Sequence, residues 1–478
     1  MSDTIRFPLL VLREATTETS RARRDFDAEV RNAGGYVATL GARYSDVVDQ
    51  VRTRAPSTHV LFLGSHDTPV PGLVSTLDSA IWEDFLDDVV YAHKQSAARR
   101  SSQKFRAPFT AAPIAEIRLP AWSPHRLEFE NYIGDSFLIR VAFFLSLESE
   151  LDPSASWDSW EFLRVARRAG ARGLRREETW FDVRVRDAAT AATAATGVPM
   201  APSTSSTAHA FAPTDCSLIT LTAGASDATR SHVTLVDEHL DVMATTDAAT
   251  ASHVVVLGPE CPASLRASLQ DRASRTATLS LIDVTEPFNF AARCNVARTV
   301  TSGAITVLVN DDFVPLRTDW LSTLIEPFND PHVGITGATL LYADDTIQHI
   351  GVGVDGGNFH HSHIGEPLSN PRVTELTSIN REVDAVTGAC LAVRTDLFDK
   401  VGGLSEGFPL NFNDIDLCLK VRAHGHSVVL VGAPLGYHLE SRTRAAVALA
   451  EEMHLFYSRW PFRANESEYP SDGLATGR

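Results

Sequence analysis

The sequence predicts an α/β protein, a mostly parallel Rossmann-like sheet with flanking helices, in two tandem domains. Three observations predict it. Strand-like apolar runs alternate with helix-like stretches through the second half, which implies βαβ units. A stretch almost without large aliphatic residues divides the chain, and blocks on its two sides match in order.

The dividing stretch is DAATAATAATGVPMAPSTSSTAHAFAPT, residues 187–214. Such a segment buries too little apolar area to offset the entropy of ordering it, so a linker is expected. It separates a domain at 1–186 from one at 215–478 that closes in a helical tail. In the second domain SLITLTA (from Ser217), HVVVLG (from His253), TATLSLID and AITVLV (from Ala304) read as strands. SHVTLVDEHLDVMATT, PASLRASLQDR and FNFAARCNVARTV read as the intervening helices, the second with Pro at its start. In the first domain YIGDSFLIRV answers VTGACLAVRT, DSWEFLRVARRAG answers DIDLCLKVRAHG, and THVLFLGSHD answers ITVLVNDD. Matched blocks in one order imply a duplicated domain. The plainer alternative is the strand–helix rhythm common to all α/β domains.

Bulk properties narrow the function. The 478 residues exceed one ordinary core. Hydrophobic content of 44% and charged content of 22% are those of a soluble globular protein. With 43 Lys+Arg against 60 Asp+Glu, a formal charge of −17 excludes nucleic acid as the main partner. An anionic ligand then needs a local positive feature such as a metal ion. MSDTIRFPLL lacks the pattern of a secretion signal, and SFLIRVAFFLSL is short and contains Arg140, so neither leader nor membrane span is expected. The five cysteines form no CxxC pair, which argues against zinc ribbons and disulfide scaffolds and fits a reducing cytoplasm.

The chemistry concentrates at TVLVNDDFV, where a buried strand ends on Asn310, Asp311 and Asp312. In open α/β sheets ligands bind outside the carboxyl ends of the strands. Two adjacent carboxylates there suit a turn with a helix cap, or a divalent cation that cancels their repulsion and neutralises a diphosphate. Asp319, just before WLSTLIEPF, is placed to cap the next helix without them. A second acidic cluster, NFNDIDLCLKV, sets Asp414 and Asp416 at a helix start, where the dipole stabilises carboxylates. In YHLESRTR, His438 precedes Arg442 and Arg444, a metal ligand and cationic phosphate contacts in one short stretch, or an exposed basic turn. QHIGVGVDGGNFHHSHIGE, with His349, His360, His361 and His363, reads as a flexible acceptor loop, since its glycines make a rigid zinc cage improbable.

From about Ser217 to Trp460 the chain resembles a family 2 glycosyltransferase with the GT-A fold, on the ordered motifs FNFAARCNVA, VLVNDD, TIQHIGVGV, VTGACLAVR, LFDKVGGLSE, FPLNFNDIDLCLKVRAHG and YHLESR. The resemblance implies inverting transfer of a sugar from a nucleotide-diphosphate donor to a saccharide or lipid-linked saccharide acceptor, in polysaccharide or cell-surface glycan synthesis. It implies Mg²⁺ or Mn²⁺ held by Asp312 and His438, with Asp414 as general base. Asn310, Asp311, Gly388, Ala389 and Arg442 fall on the donor side, and Asp416 and His349 on the acceptor side. A cytoplasmic site of action, with contact at the inner membrane face, is the family-level expectation. Two departures stand out: Asn310 replaces the first Asp of the metal motif, and VVVLGPE puts Gly258 where an Asp commonly contacts the nucleoside. The first domain resembles the same fold in worn form, keeping Asp67 and Asp158 but no late His, and is expected to be inactive. The competing reading is a non-catalytic scaffold that binds nucleotide sugars or carbohydrate.

Overall fold

A computed structural model describes residues 9–15, 20–53, 58–65, 67–82, 87–97, 114–117, 121–128, 131–183, 211–224, 234–355, 358–439, 449–460 and 469. They fall into two compact units divided between Ser203 and Thr204. That division lies within the Ala/Thr/Ser/Pro-rich stretch, of which residues 187–210 are outside the described residues.

The first unit carries β1 (Leu9–Arg13), β2 (Tyr36–Thr39), β3 (His59–Leu63), β4 (Asp67–Pro69), β5 (Val89–Ala97), β6 (Ile114–Ile117), β7 (Phe137–Arg140) and β8 (Gly173–Val183). The second carries β9 (Cys216–Thr222), β10 (Ser252–Leu257), β11 (Leu279–Asp283), β12 (Ile305–Val309), β13 (Phe313–Pro315), β14 (Val333–Leu341), β15 (Ile347–His349), β16 (Val352–Asp355), β17 (Asn358–His361), β18 (Arg381–Glu382), β19 (Cys390–Arg394) and β20 (Ser427–His438). Helices used below are α1 (Ser159–Arg168), α2 (Leu235–Met243), α3 (Phe290–Arg298), α4 (Trp320–Ile325), α5 (Asn413–Ala423) and α6 (Ala450–Arg459).

Both faces of each sheet are covered, which is why the central strands read as unbroken apolar runs. In β12, Ile305, Val307 and Val309 enter one core and Leu308 the opposite one. In β1, Leu9 and Val11 face one core and Leu10 and Leu12 the other.

The two sheets repeat one topology. The first runs β2-β1-β3-β7-β5-β8-β4, and the second, after its extra edge strand β11, runs β10-β9-β12-β19-β14-β20-β13. Every pairing along the two paths keeps its sense. The left half is parallel, β7 and β19 are antiparallel to both neighbours, β5·β8 and β14·β20 are parallel, and the last strand is antiparallel. A shared strand–helix rhythm does not by itself produce a common order and sense across seven strands.

The register also corrects one sequence match. Asp67 pairs with Val183, and Pro69 with Phe181. Phe313 pairs with His438, and Pro315 with Gly436. Asp67 therefore occupies the position of Phe313 rather than that of Asp312, whose place in the sequence belongs to His66. By the same register Lys94, opposite Phe181, takes the place of Leu340, opposite Gly436. Phe313 and Leu340 lie together in an apolar core, whereas Asp67 and Lys94 form a buried ion pair at 2.9 Å, with side chains 7% and 11% exposed.

Other expectations shift for local reasons. α4 is not capped by Asp319, whose carboxylate is held by Arg317 at 2.7 Å. Asp247 caps it instead, accepting from Leu321 N–H (3.2 Å) and Ser322 N–H (2.8 Å). The His-rich loop contains the hairpin β16–β17, because Val352 and Val354 are apolar enough to bury. The cysteines are all buried free thiols, and among the described residues no helix is long and apolar enough to cross a membrane.

Breaking a buried ion pair from one side leaves an uncompensated charge, at a cost of about 3–5 kcal/mol, while an apolar pair of similar volume is often neutral or better. Asp67→Ala is thus expected to destabilise the first unit by about that amount in urea titrations. The double variant Asp67→Phe, Lys94→Leu, which installs the residues of the second unit, should be more stable than either single change; equal or greater loss in the double variant refutes the equivalence.

Candidate functional site

The site grows from the end of β12. Phe313 N–H donates to Asn310 C=O at 3.2 Å, closing a tight turn that presents Asn310, Asp311 and Asp312 and leads into β13. β13 pairs antiparallel with the end of β20, Phe313 opposite His438. That pairing brings His438 Nε2 to 3.2 Å from both Asp312 Oδ1 and the Asn310 amide nitrogen. The Asp312 contact is close but not aligned as a hydrogen bond: Asp312 Oδ1 and His438 Nδ1 are both buried without hydrogen-bond partners.

The two carboxylates titrate apart. Burial pushes Asp311 up to about 6, against the opposing effect of a hydrogen bond with Thr222 and reinforced by the charge of Asp312. Burial acts upward on Asp312 as the largest single effect, but the adjacent His438 imidazole, its own backbone N–H and His239 together hold the carboxyl below its usual range. An orphaned carboxylate oxygen facing an imidazole nitrogen is satisfied by positive charge, either a proton on the ring or a cation shared by the two. The donor set fits a divalent cation that takes its remaining ligands from a ligand's oxygens. Among the described residues no group of three or more His, Cys, Asp or Glu side chains is placed to hold a metal by itself.

A short backbone strap, Thr387–Ala389, joins this end to the acidic helix. Asn310 N–H donates to Ala389 C=O at 3.0 Å, and Gly388 N–H donates to Asp414 Oδ2 at 2.8 Å. Ala389 N–H turns back to Thr387 Oγ1 at 3.3 Å. Thr387 N–H donates to His349 Nε2 at 3.3 Å, and His349 Nδ1 lies 3.0 Å from His361 Nδ1. Because Nε2 accepts from a peptide N–H, the neutral His349 ring carries its proton on Nδ1 and donates it to His361. Burial drives His349 well below the usual histidine range, with the positive charge of Arg381 acting the same way, so this ring stays neutral.

Sequence-expected residues sort accordingly. Asp312, His438, Asn310, Asp311, Gly388, Ala389 and Asp414 gather at the carboxyl end of the sheet, Asp414 half-buried at the start of α5. His349 is fully buried under the strap. Asp416 is also fully buried, accepting from Arg459 (3.0 Å), Trp460 Nε1 (2.9 Å) and Ser405 (2.5 Å). Arg442 lies outside the described residues. At Gly258 an added β-carbon would stand 2.4 Å from the Arg293 guanidinium, which is paired with Glu260 and stacked over Phe288 at 4.7 Å. The carboxylate near this end of β10 is therefore that of Glu260.

Sequence reasoning missed a polar spine under the turn. His239 Nδ1 donates to Phe313 C=O at 3.2 Å, and Thr220 Oγ1 lies 3.3 Å from His239 Nε2 and 2.9 Å from His253 Nε2. The hydroxyl donates to His239 and accepts from His253, so every hydrogen is used. Burial pushes His239 down to about 4, more than the Phe313 bond can offset. Thr220, alternating with Thr222 on β9, was the available signal: polar residues inside a buried strand need partners.

Residues 229–454 match the family model described as Glycosyltransferase like family 2. An uncharacterized protein, y4gI, of Sinorhizobium fredii is 41% identical over 160 residues, 33% of this chain and 18% of that protein. The O-antigen biosynthesis protein RfbC of Myxococcus xanthus is 34% identical over 171 residues, 34% of this chain and 13% of that protein. The chain thus spans less than a fifth of the length of either curated relative. Among solved structures, a mannosyltransferase from Pyrobaculum calidifontis in complex with GDP-Man and Mn²⁺ aligns with 49% of this chain and 61% of its own, at 18% identity and a TM-score of 0.35. That likeness is too loose to transfer residues.

Two measurements check the buried histidines. Between pH 6.5 and 4 the unfolded state binds more protons than the folded state at His239, so its contribution is complete above pH 6.5 and is lost as pH falls. The expected loss is on the order of 3 kcal/mol by pH 4, and His239→Gln should flatten the slope of unfolding free energy against pH in that window. Nitrogen-15 spectra of the rings should show His349 as the neutral Nδ1–H tautomer; a charged or Nε2–H ring contradicts the strap geometry.

Proposed function

With residues 229–454 forming a glycosyltransferase family 2 domain, we propose that the second unit is an inverting, metal-dependent glycosyltransferase of the GT-A type. It takes a sugar from a nucleotide-diphosphate donor and passes it to a saccharide acceptor. The observation that carries the reading is the union of Asp312 and His438 at 3.2 Å with Asp414, one strap away. The similarity to an O-antigen biosynthesis protein supports a cell-surface polysaccharide or its lipid-linked precursor as the acceptor class.

Asp312 and His438 would hold Mg²⁺ or Mn²⁺, which when bound supplies Lewis-acid neutralisation of the departing diphosphate. Asn310 fixes the strap through its backbone, and its side-chain amide borders the imidazole edge. Gly388 N–H and Ile415 N–H, each 2.8 Å from an Asp414 oxygen, aim that carboxylate. Asp414 accepts the proton of the acceptor hydroxyl as that oxygen bonds to the anomeric carbon. The bond from that carbon to the diphosphate oxygen breaks on the opposite face, and the nucleoside diphosphate leaves with the electron pair. Inversion follows from the single displacement.

For the first unit we infer the same fold without the chemistry. His66 stands in the sequence at the place of Asp312, and Val183 takes the register position of His438. Valine has no donor atom, so the pair of metal ligands is lost.

General-base catalysis contributes about 10²–10⁴-fold, so Asp414→Asn should lower turnover by that order while calorimetric binding of donor with Mn²⁺ stays near wild type. Asp312→Ala should abolish Mn²⁺-dependent binding of UDP, GDP and dTDP alike. Donor screening by thermal stabilisation with and without Mn²⁺ identifies the nucleotide; stabilisation by none of them, or unchanged turnover in Asp414→Asn, defeats the reading.

A further inference from the structure

We propose that α6 is a brace for the catalytic base and that Glu452 is its positioning residue; the inference rests on the reading of Asp414 as that base. Glu452 is 2% exposed, a carboxylate buried in an already acidic chain. Burying such a charge is unfavourable unless donors surround it. Among the described residues its donors all come from the two residues before the turn into α5. Oε1 accepts Leu410 N–H (2.8 Å) and Asn411 N–H (3.0 Å), and Oε2 accepts the Asn411 amide (2.7 Å).

Phe412 follows, with φ at 62°, the left-handed region that a bulky side chain rarely adopts. Such a backbone persists where its surroundings over-determine it. Here the Phe412 ring stacks on Phe456 of α6, centroids 4.7 Å apart and planes 20° apart, and Phe456 is fully buried. Phe412 C=O accepts Asp416 N–H at 2.8 Å, the bond that opens α5. On the other side of Asp414 the Asp416 carboxylate is held by Arg459 (3.0 Å) and Trp460 (2.9 Å). α6 and the residue after it therefore grip positions 410, 411, 412 and 416 and make none of the bonds to the Asp414 carboxylate, which go to Gly388 and Ile415. The brace fixes the base by fixing its neighbours and places no bond of its own on the half-buried carboxylate.

A brace acts on the chemical step and not on the metal end, which separates it from a merely structural helix. The assay is nucleotide release by the full chain from UDP-glucose, UDP-galactose, GDP-mannose and dTDP-rhamnose with MnCl₂, beside calorimetry of free UDP, GDP and dTDP with MnCl₂. Small misplacements of a catalytic group cost about 10²-fold, so Glu452→Leu should lower kcat by roughly that factor with nucleotide affinity unchanged. Glu452→Gln, which keeps an acceptor for the two backbone N–H groups, should recover most of the loss. If Glu452→Leu fails to fold by circular dichroism, Phe456→Leu makes the same test through the ring stack on Phe412. Native kcat in these variants, a parallel loss of nucleotide affinity, or a Gln variant no better than Leu overturns the brace alone. A wild-type chain that releases nucleotide from none of the donors overturns the transferase reading and the brace with it.

Discussion

The antiparallel pairing of β13 with the end of β20 is the constraint on which the second unit's site depends. It is a short ladder, yet it sets His438 against Asp312 and Asn310 from the far end of the domain sequence. Without it the Asp312 carboxylate would face Asp311 and the low-dielectric ends of the strands, a situation that like charges avoid. The underlying elements serve the pairing. His239 holds the Phe313 carbonyl from below, and Leu439 N–H closes on Asp312 C=O at 3.1 Å from the side.

Asp312 and His438 keep polar atoms without hydrogen-bond partners, whereas the groups that orient the site are buried and satisfied. His349, Asp416, Glu452 and His239 are polar residues in the interior, each supplied with named partners. Fully satisfied buried networks specify a single geometry, because the alternative arrangements strand a polar group without water. The backbone around Asp414 is held at the strap by His349 and Asn310, and at the turn by Glu452 and Phe456. A half-exposed aspartate on a helix start would otherwise sample several rotamers.

The two sheets show how one topology carries different interiors. Strand order and sense agree from edge to edge, while the position filled by Phe313 and Leu340 in one unit is filled by Asp67 and Lys94 in the other. An apolar pair and a paired charge occupy similar space on the two strands that flank one shared partner, so topology, set by backbone hydrogen bonds and sheet twist, tolerates the exchange. Register does not tolerate counting errors, since a slip of one residue along a strand moves every side chain to the other face. That is why Asp67, one place beyond the position that answers Asp312, is a core partner of Lys94.

The strand and helix rhythm of residues 216–309 was legible in the sequence, because each element buries an apolar set at its own period and ends at Pro, Gly or Asx residues. The acidic turn at 310–312 and the acidic start of α5 were legible too, since carboxylates in those places have few purely structural uses. What the sequence does not encode locally is which distant groups satisfy them. Asp247 capping α4, His349 under the strap, Asp416 anchoring Arg459 and Glu452 gripping Leu410 are contacts between segments far apart in the chain. They exist only because packing the sheet and helices brings unpaired donors and buried acceptors to one place, where each must find the other.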